Sequence, residues 1–162
     1  MDALVVWLQA TALSKAIVFQ TWVWPAAETI HFIGLALLMG IVGLLDLRLM
    51  GFFPAVPIPA FREMVPFALA GFALNVFSGV IFLIGHPEQY VHNISWWLKV
   101  VSLVIAGANA AIFEATVAPQ VMTLAPGQPT SIATKCFGAI SLAAWMSVLY
   151  WGRMLPFIGD AY

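Results

Sequence analysis

Residues 24–45 read WPAAETIHFIGLALLMGIVGLL, an apolar run whose only ionisable side chains are Glu28 and His31. A helix needs about 20 mainly apolar residues to cross the hydrocarbon core of a bilayer, so this run suffices for one passage. Three further windows share its character: 66–85, 96–118 and 132–151. Prolines mark the gaps: Pro54, Pro57 and Pro59, then Pro87, then Pro119, Pro126 and Pro129. Such residues punctuate helices. Lipid offers no partner to backbone N–H and C=O groups, so only helices and closed barrels can span it. Barrel strands alternate in polarity over about ten residues. These windows do not alternate, and they are read as helices.

Composition agrees. The chain has 162 residues, 63% hydrophobic and 8% charged, whereas an average soluble domain is roughly 25% charged. A soluble domain of this length buries only about 70% of the surface its unfolded chain exposes, too little to hide so much apolar area. A soluble enzyme and a disordered chain are therefore excluded. The formal net charge of −1 lacks the basic footprint of nucleic-acid binding, so no nucleic acid is expected as a partner. Cys136 is the single cysteine, which leaves no internal disulfide and no thiolate cluster.

The stretch 3–19 is also apolar, but Gln9, Thr11, Ser14 and Lys15 interrupt it. It lacks the positive start and small-residue cleavage site of a signal peptide. We read it as an amphipathic helix lying in the interface, anchored by Trp7, in preference to a fifth span. The expected fold is a single all-α domain over 1–162: an integral membrane four-helix bundle with an N-terminal interfacial helix. Let side A be the membrane face at which the first span begins. Side A then holds Lys15, Lys99 and Arg153, and side B holds Arg48, Arg62 and Lys135. The positive-inside rule is evenly balanced, and orientation stays open.

Gly71, Asn75 and Gly79 recur every four residues and share one face of the second span. Ala36 and Gly40 do so on the first, and Ser102, Ala106 and Ala110 on the third, with Asn109 beside them. Small residues let membrane helices approach closely and an amide can bond a neighbour; the same faces can also leave room for a flat cofactor.

Sorting the polar residues by depth separates two clusters. On side A lie His31, roughly 10 Å below the surface at 1.5 Å per residue, with Glu28 one turn earlier. His86, Glu88, Tyr90 and His92 follow the second span, and Arg153 and Met154 end the fourth. On side B lie Asp46, Arg48, Arg62, Glu63, Glu114 and Lys135. A carboxylate in lipid is costly, so Glu114 is expected to face the bundle and pair with Arg48 or Lys135, or to be protonated. Three roles remain open for His31. It can bond a carbonyl or Glu28, ligate a metal or haem, or transfer a proton. As a ligand it would be oriented by Glu28, with His86, His92 or the Met154 thioether as candidate second donor. No phosphate loop, nucleophile elbow or zinc-protease motif is present.

Further motifs carry a resemblance. Span one reads Glu28-Thr-Ile-His31, then Asp46-Leu-Arg48-Leu-Met-Gly51. Span two carries Gly71 and Ser78-Gly79, span three Trp97-Leu-Lys99 and Ala106-Gly107-Ala-Asn109-Ala110, and span four Ser141-Leu-Ala-Ala-Trp145 and Gly152-Arg153. Over nearly its whole length the chain resembles an uncharacterised family of small bacterial four-helix membrane proteins. More loosely it is similar to the copper-resistance D and cytochrome b561-like bundles. The nearer resemblance implies a four-helix bundle in a bacterial inner membrane and no assigned activity. The looser one implies haem b or copper. The resulting expectation is a redox or metal-handling protein binding haem b or copper near side A through His31. Its alternative is a non-catalytic accessory subunit of a larger membrane complex, or a homo-oligomer. A proton or solute path through such an oligomer is a third reading.

Overall fold

A computed structural model describes residues 2–158, and they form helices and turns with no strand among them. The helices in chain order are α1 (Asp2–Ala10), α2 (Ala12–Phe19), α3 (Val23–Met50), α4 (Ile58–Arg62), α5 (Val65–Gly85), α6 (Glu88–Val91), α7 (Ile94–Thr116), α8 (Ala118–Val121) and α9 (Ile132–Met154). Four stretches are long and apolar enough to cross a membrane: α3, α4 with α5, α7 and α9. Their outer surface inverts the pattern of a soluble protein. Large apolar side chains point outward, with Ile132 81% and Val104 65% exposed, as expected where the surroundings are lipid. The protein is an integral membrane four-helix bundle.

The spans begin and end where local chemistry allows. Asn93 caps α7 by accepting from the Ser95 N–H, and Ser131 caps α9 by accepting from the Thr134 N–H, each satisfying a donor that the first helical turn leaves free. The first span runs past the expected end at Leu45. Asp46 and Arg48 do not stop it, because both turn inward and are buried. It ends at Gly51, whose φ of 105° is the left-handed conformation that closes a helix. The N-terminal stretch is two helices instead of one. The Thr11 hydroxyl donates to the Leu8 carbonyl and accepts from the Ser14 N–H, which ends α1 and starts α2. Neither is long enough to span, at 9 and 8 residues. They fold back on the end of α5, where Ile17 meets Gly85 and Gln9 bonds Glu88. Trp7 and Phe19 are exposed.

Among the spans, α3 packs on both α5 and α9, and α9 packs on α7, while α5 and α7 make no comparable contact. The bundle therefore has one open seam. Its tightest approach is between Gly34 of α3 and Gly71 of α5, where a Cβ on either would lie 2.6 Å from the other's carbonyl oxygen. Gly138 of α9 meets the Asp46 carbonyl of α3 in the same way. The expected glycine faces are thus only partly used: a Cβ added at Gly40 or Gly79 meets nothing within 4 Å. Both lie outside the crossing points that Gly34, Gly71 and Gly138 make. Asn75 bonds back to its own helix at the Gly71 carbonyl. Asn109 does reach a neighbour, donating to Phe137 of α9, and Ser102 bonds Ser147 there.

Side B differs from expectation in its charge pairing. Glu114 is held by Arg62, whose Nη1 donates to Oε1 at 2.5 Å and Nη2 to Oε2 at 2.6 Å. Neither Arg48 nor Lys135 takes that place. The short helix α4 lays Arg62 beside the end of α7, whereas Arg48 points inside and donates to the carbonyls of Val56 and Pro54. Lys135 lies against Gly51 at the end of α3. Glu114 and Arg62 are 49% and 43% exposed, so this pair sits at the bundle end and not in its interior.

Candidate functional site

Between the spans, toward side A, lies a cavity of about 620 Å³. All four spans line it, and α6 and residues 155–156 cover its side A end. Its size falls in the range of small-molecule and cofactor sites, about 300–1,000 Å³. The walls are mainly aromatic and aliphatic, with Trp24, Phe72, Phe82, Trp96 and Trp145 among them. The polar groups on the wall are few: Glu28, His31, Asn75, Tyr90, Lys99 and Arg153, with Gln89 beside Tyr90.

His31 is held from behind. Its Nδ1 lies 2.8 Å from the Ser78 hydroxyl of α5. That hydroxyl in turn lies 2.7 Å from the Leu74 carbonyl, which can only accept. With its proton on the Leu74 carbonyl, Ser78 Oγ can accept from the Nδ1–H tautomer of His31. That tautomer has its free lone pair on Nε2. Phe82 flanks the imidazole, with ring centroids 5.6 Å apart. The role expected for Glu28, orienting His31, thus belongs to Ser78. Glu28 instead accepts the indole N–H of Trp24 at 3.1 Å, a helical neighbour one turn earlier.

The other expected donors are elsewhere. His86 lies 3.3 Å from Glu88 through Nδ1 and stands edge-on to Trp24; it lines a separate shallow groove under α2. His92 is exposed at the end of α6, and Met154 is half-buried; neither is on the cavity wall. Among the described residues no three of His, Cys, Asp or Glu come together as a metal-holding group. The three histidines share a membrane face but not a site, because α6 carries His92 outward and α2 claims the surroundings of His86.

Residues that sequence reading left out of the site complete it. Lys99 enters from α7 and lies along α9 at Gly152, where a Cβ would be 3.6 Å from its ammonium. Arg153 reaches the cavity rim with its guanidinium carbon 5.0 Å above the Phe157 ring. Tyr90 of α6 has its hydroxyl pushed up to about 12, first by burial and then by the negative charges of Glu28 and Glu88. It therefore stays a neutral donor at any physiological pH. Depth alone puts Lys99, Tyr90 and Arg153 at this membrane face; the signal for Ser78 is that Gly71, Asn75 and Ser78 fall at i, i+4 and i+7 on one helical face.

Fold and site together define the class: a small integral membrane bundle with a mainly apolar, interior cavity and one pre-oriented histidine on its wall. Compared with protein-family models, curated proteins and solved structures, the chain matches none.

Proposed function

We propose that this protein binds a cofactor in its intramembrane cavity through His31 and works as a redox or metal-handling protein, in a bacterial inner membrane as its family resemblance implies. The observation that carries this reading is the 2.8 Å contact between His31 Nδ1 and the Ser78 hydroxyl, which can take the proton of the Nδ1–H tautomer. Metal-ligating histidines characteristically donate their second ring N–H to such a partner, which fixes the tautomer and the ring orientation. Of the two cofactors expected, haem b suits the residues better. His31 Nε2 would hold its iron, the aromatic residues of the wall would surround it, and Lys99 and Arg153 would meet its carboxylates. Haem would supply one-electron chemistry there. Copper needs several soft nitrogen or sulfur donors around one point, and His86, His92 and Met154 are not on this wall.

The test is an absorption spectrum of the detergent-purified protein, oxidised and then reduced with dithionite, with elemental analysis. A sharp reduced α-band that disappears in His31→Ala is the expected result. A colourless, metal-free protein would overturn the reading. It would favour the alternative, an accessory subunit or homo-oligomer. One observation supports that alternative: among the described residues a Cβ added at Gly40, Gly43 or Gly107 meets nothing within 4 Å, and small residues are where membrane helices meet. Co-purification of a stoichiometric membrane partner, or a defined oligomer, would be its signature.

A further inference from the structure

We propose that the cavity takes up an anionic amphiphile directly from the bilayer, with its acidic head against Lys99 and Arg153 and its apolar body in the seam between α5 and α7. The inference rests on the cavity's shape and charge and not on the cofactor reading, so a colourless protein leaves it standing.

The first observation is the seam. Helices α5 and α7 do not close on each other as the other neighbouring spans do. Phe72, Val76 and Val80 of α5 line the cavity and are also 37%, 50% and 47% exposed. With no helix packed between α5 and α7 among the described residues, the cavity they line opens sideways along this wall. The opening lies within a membrane-spanning stretch, so what it faces is hydrocarbon. A solute arriving there comes dissolved in lipid.

The second observation is the charge at the other end. Lys99 and Arg153 both line the cavity, and among the described residues neither has a carboxylate within ion-pair distance. The Lys99 side chain lies along Gly152, toward α9, and not out toward lipid. The one acid on the wall, Glu28, already accepts the Trp24 N–H through Oε1. Two cations face one carboxylate, and Lys99, half-buried within its span, stands where unpaired charge is costly, while Arg153 is exposed at the rim. A carboxylate or phosphate head offsets that cost, and the neutral Tyr90 hydroxyl is at hand as a further donor. A neutral amphiphile fills the seam but leaves both cations unpaired. Charge therefore sets the orientation: head toward side A, apolar body toward the bilayer centre.

The experiment uses the whole protein in nanodiscs of neutral lipid and reads tryptophan fluorescence, since Trp24, Trp96 and Trp145 of the seven tryptophans line the cavity. The probe is dibromostearate, whose bromines quench on contact. Its methyl ester is the neutral control, and acetate is the head group without a tail. Saturable quenching is expected with the acid, only weak unsaturable quenching with the ester, and no competition from acetate. Removing one charge-assisted contact should raise the half-saturation concentration roughly tenfold or more in Lys99→Met. Lys99→Arg should restore it, and Lys135→Met on side B should leave it unchanged. If Lys99→Met fails to fold, Arg153→Leu carries the same expectation. Equal quenching by acid and ester, competition by acetate, or no effect of the cation variants overturns the proposal. A purified protein whose cavity is already filled by haem overturns the proposal.

Discussion

Replacing Gly34 with alanine should separate α3 from α5 and loosen the histidine from its support. A Cβ at Gly34 would lie 2.6 Å from the Gly71 carbonyl oxygen and 3.0 Å from Leu74 Cβ, whereas ordinary contact begins at 3.4 Å. The helices must therefore part by about 0.8 Å, because the obstructing atom is backbone and cannot rotate away. Overpacking of this kind costs about 1–3 kcal/mol. Alanine also gains about 0.5–1 kcal/mol over glycine inside a helix, so the control is Gly79→Ala, which has the same gain and meets nothing within 4 Å. The difference between the two variants is the packing cost alone. His31 lies one turn before Gly34, and Ser78 two turns after Gly71. The same parting stretches their 2.8 Å bond to about 3.6 Å, beyond hydrogen-bonding range. Reversible unfolding by SDS in mixed micelles measures the first effect, and the ¹⁵N shifts of the His31 ring measure the second. One separation relieves both glycines, so Gly34→Ala with Gly71→Ala should cost less than the sum of the singles. Stability of Gly34→Ala within about 0.5 kcal/mol of Gly79→Ala, with the His31 shifts unmoved, would refute the reasoning.

Three other predictions follow from particular contacts. Arg48→Met should leave the carbonyls of Pro54 and Val56 without their donor; stability should fall by about 2–4 kcal/mol, and limited proteolysis should cut within 51–57 sooner. Glu114→Gln should cost less than about 1 kcal/mol, because its pair with Arg62 is half exposed, and the loss should shrink further with salt. Tyr90 should titrate near 12 in place of 10, read by absorbance at 295 nm as the change lost in Tyr90→Phe. Its folded-state value is raised, so its contribution to stability is complete below pH 10 and is lost as pH rises from 10 to 12. Tyr90→Phe should remove that part of the alkaline loss, and an unchanged pH dependence would count against the burial of its hydroxyl.

The spans were legible because crossing a bilayer is a demand on length and polarity, and both are summed along the chain. Windows at 24–45, 66–85, 96–118 and 132–151 correspond to α3, α5, α7 and α9, and the main error in extent was at Asp46–Met50. There polarity alone suggested an end, whereas inward-facing Asp46 and Arg48 let the helix continue. Thr11 was visible as a polar interruption but not as the cap that splits the N-terminal helix in two.

The candidate site was legible only in part. His31 stood out because an ionisable residue inside an apolar run is conspicuous. Its partner did not, since Ser78 is 47 residues away in the chain and a serine in an apolar run is far less conspicuous than an ionisable residue. Depth follows from counting residues at a fixed rise per residue. The rotation of each helix about its axis, and the choice of neighbour, do not. Those are set by a few close backbone approaches, Gly34 on Gly71 and Gly138 on Asp46. The sequence by itself determined that this chain spans a membrane four times and which residues lie at which depth. Only the tertiary structure decided that Ser78 orients His31, that Arg62 holds Glu114, and that a cavity opens between α5 and α7. Depth is a property each helix carries alone, whereas contact requires two helices to agree on a face.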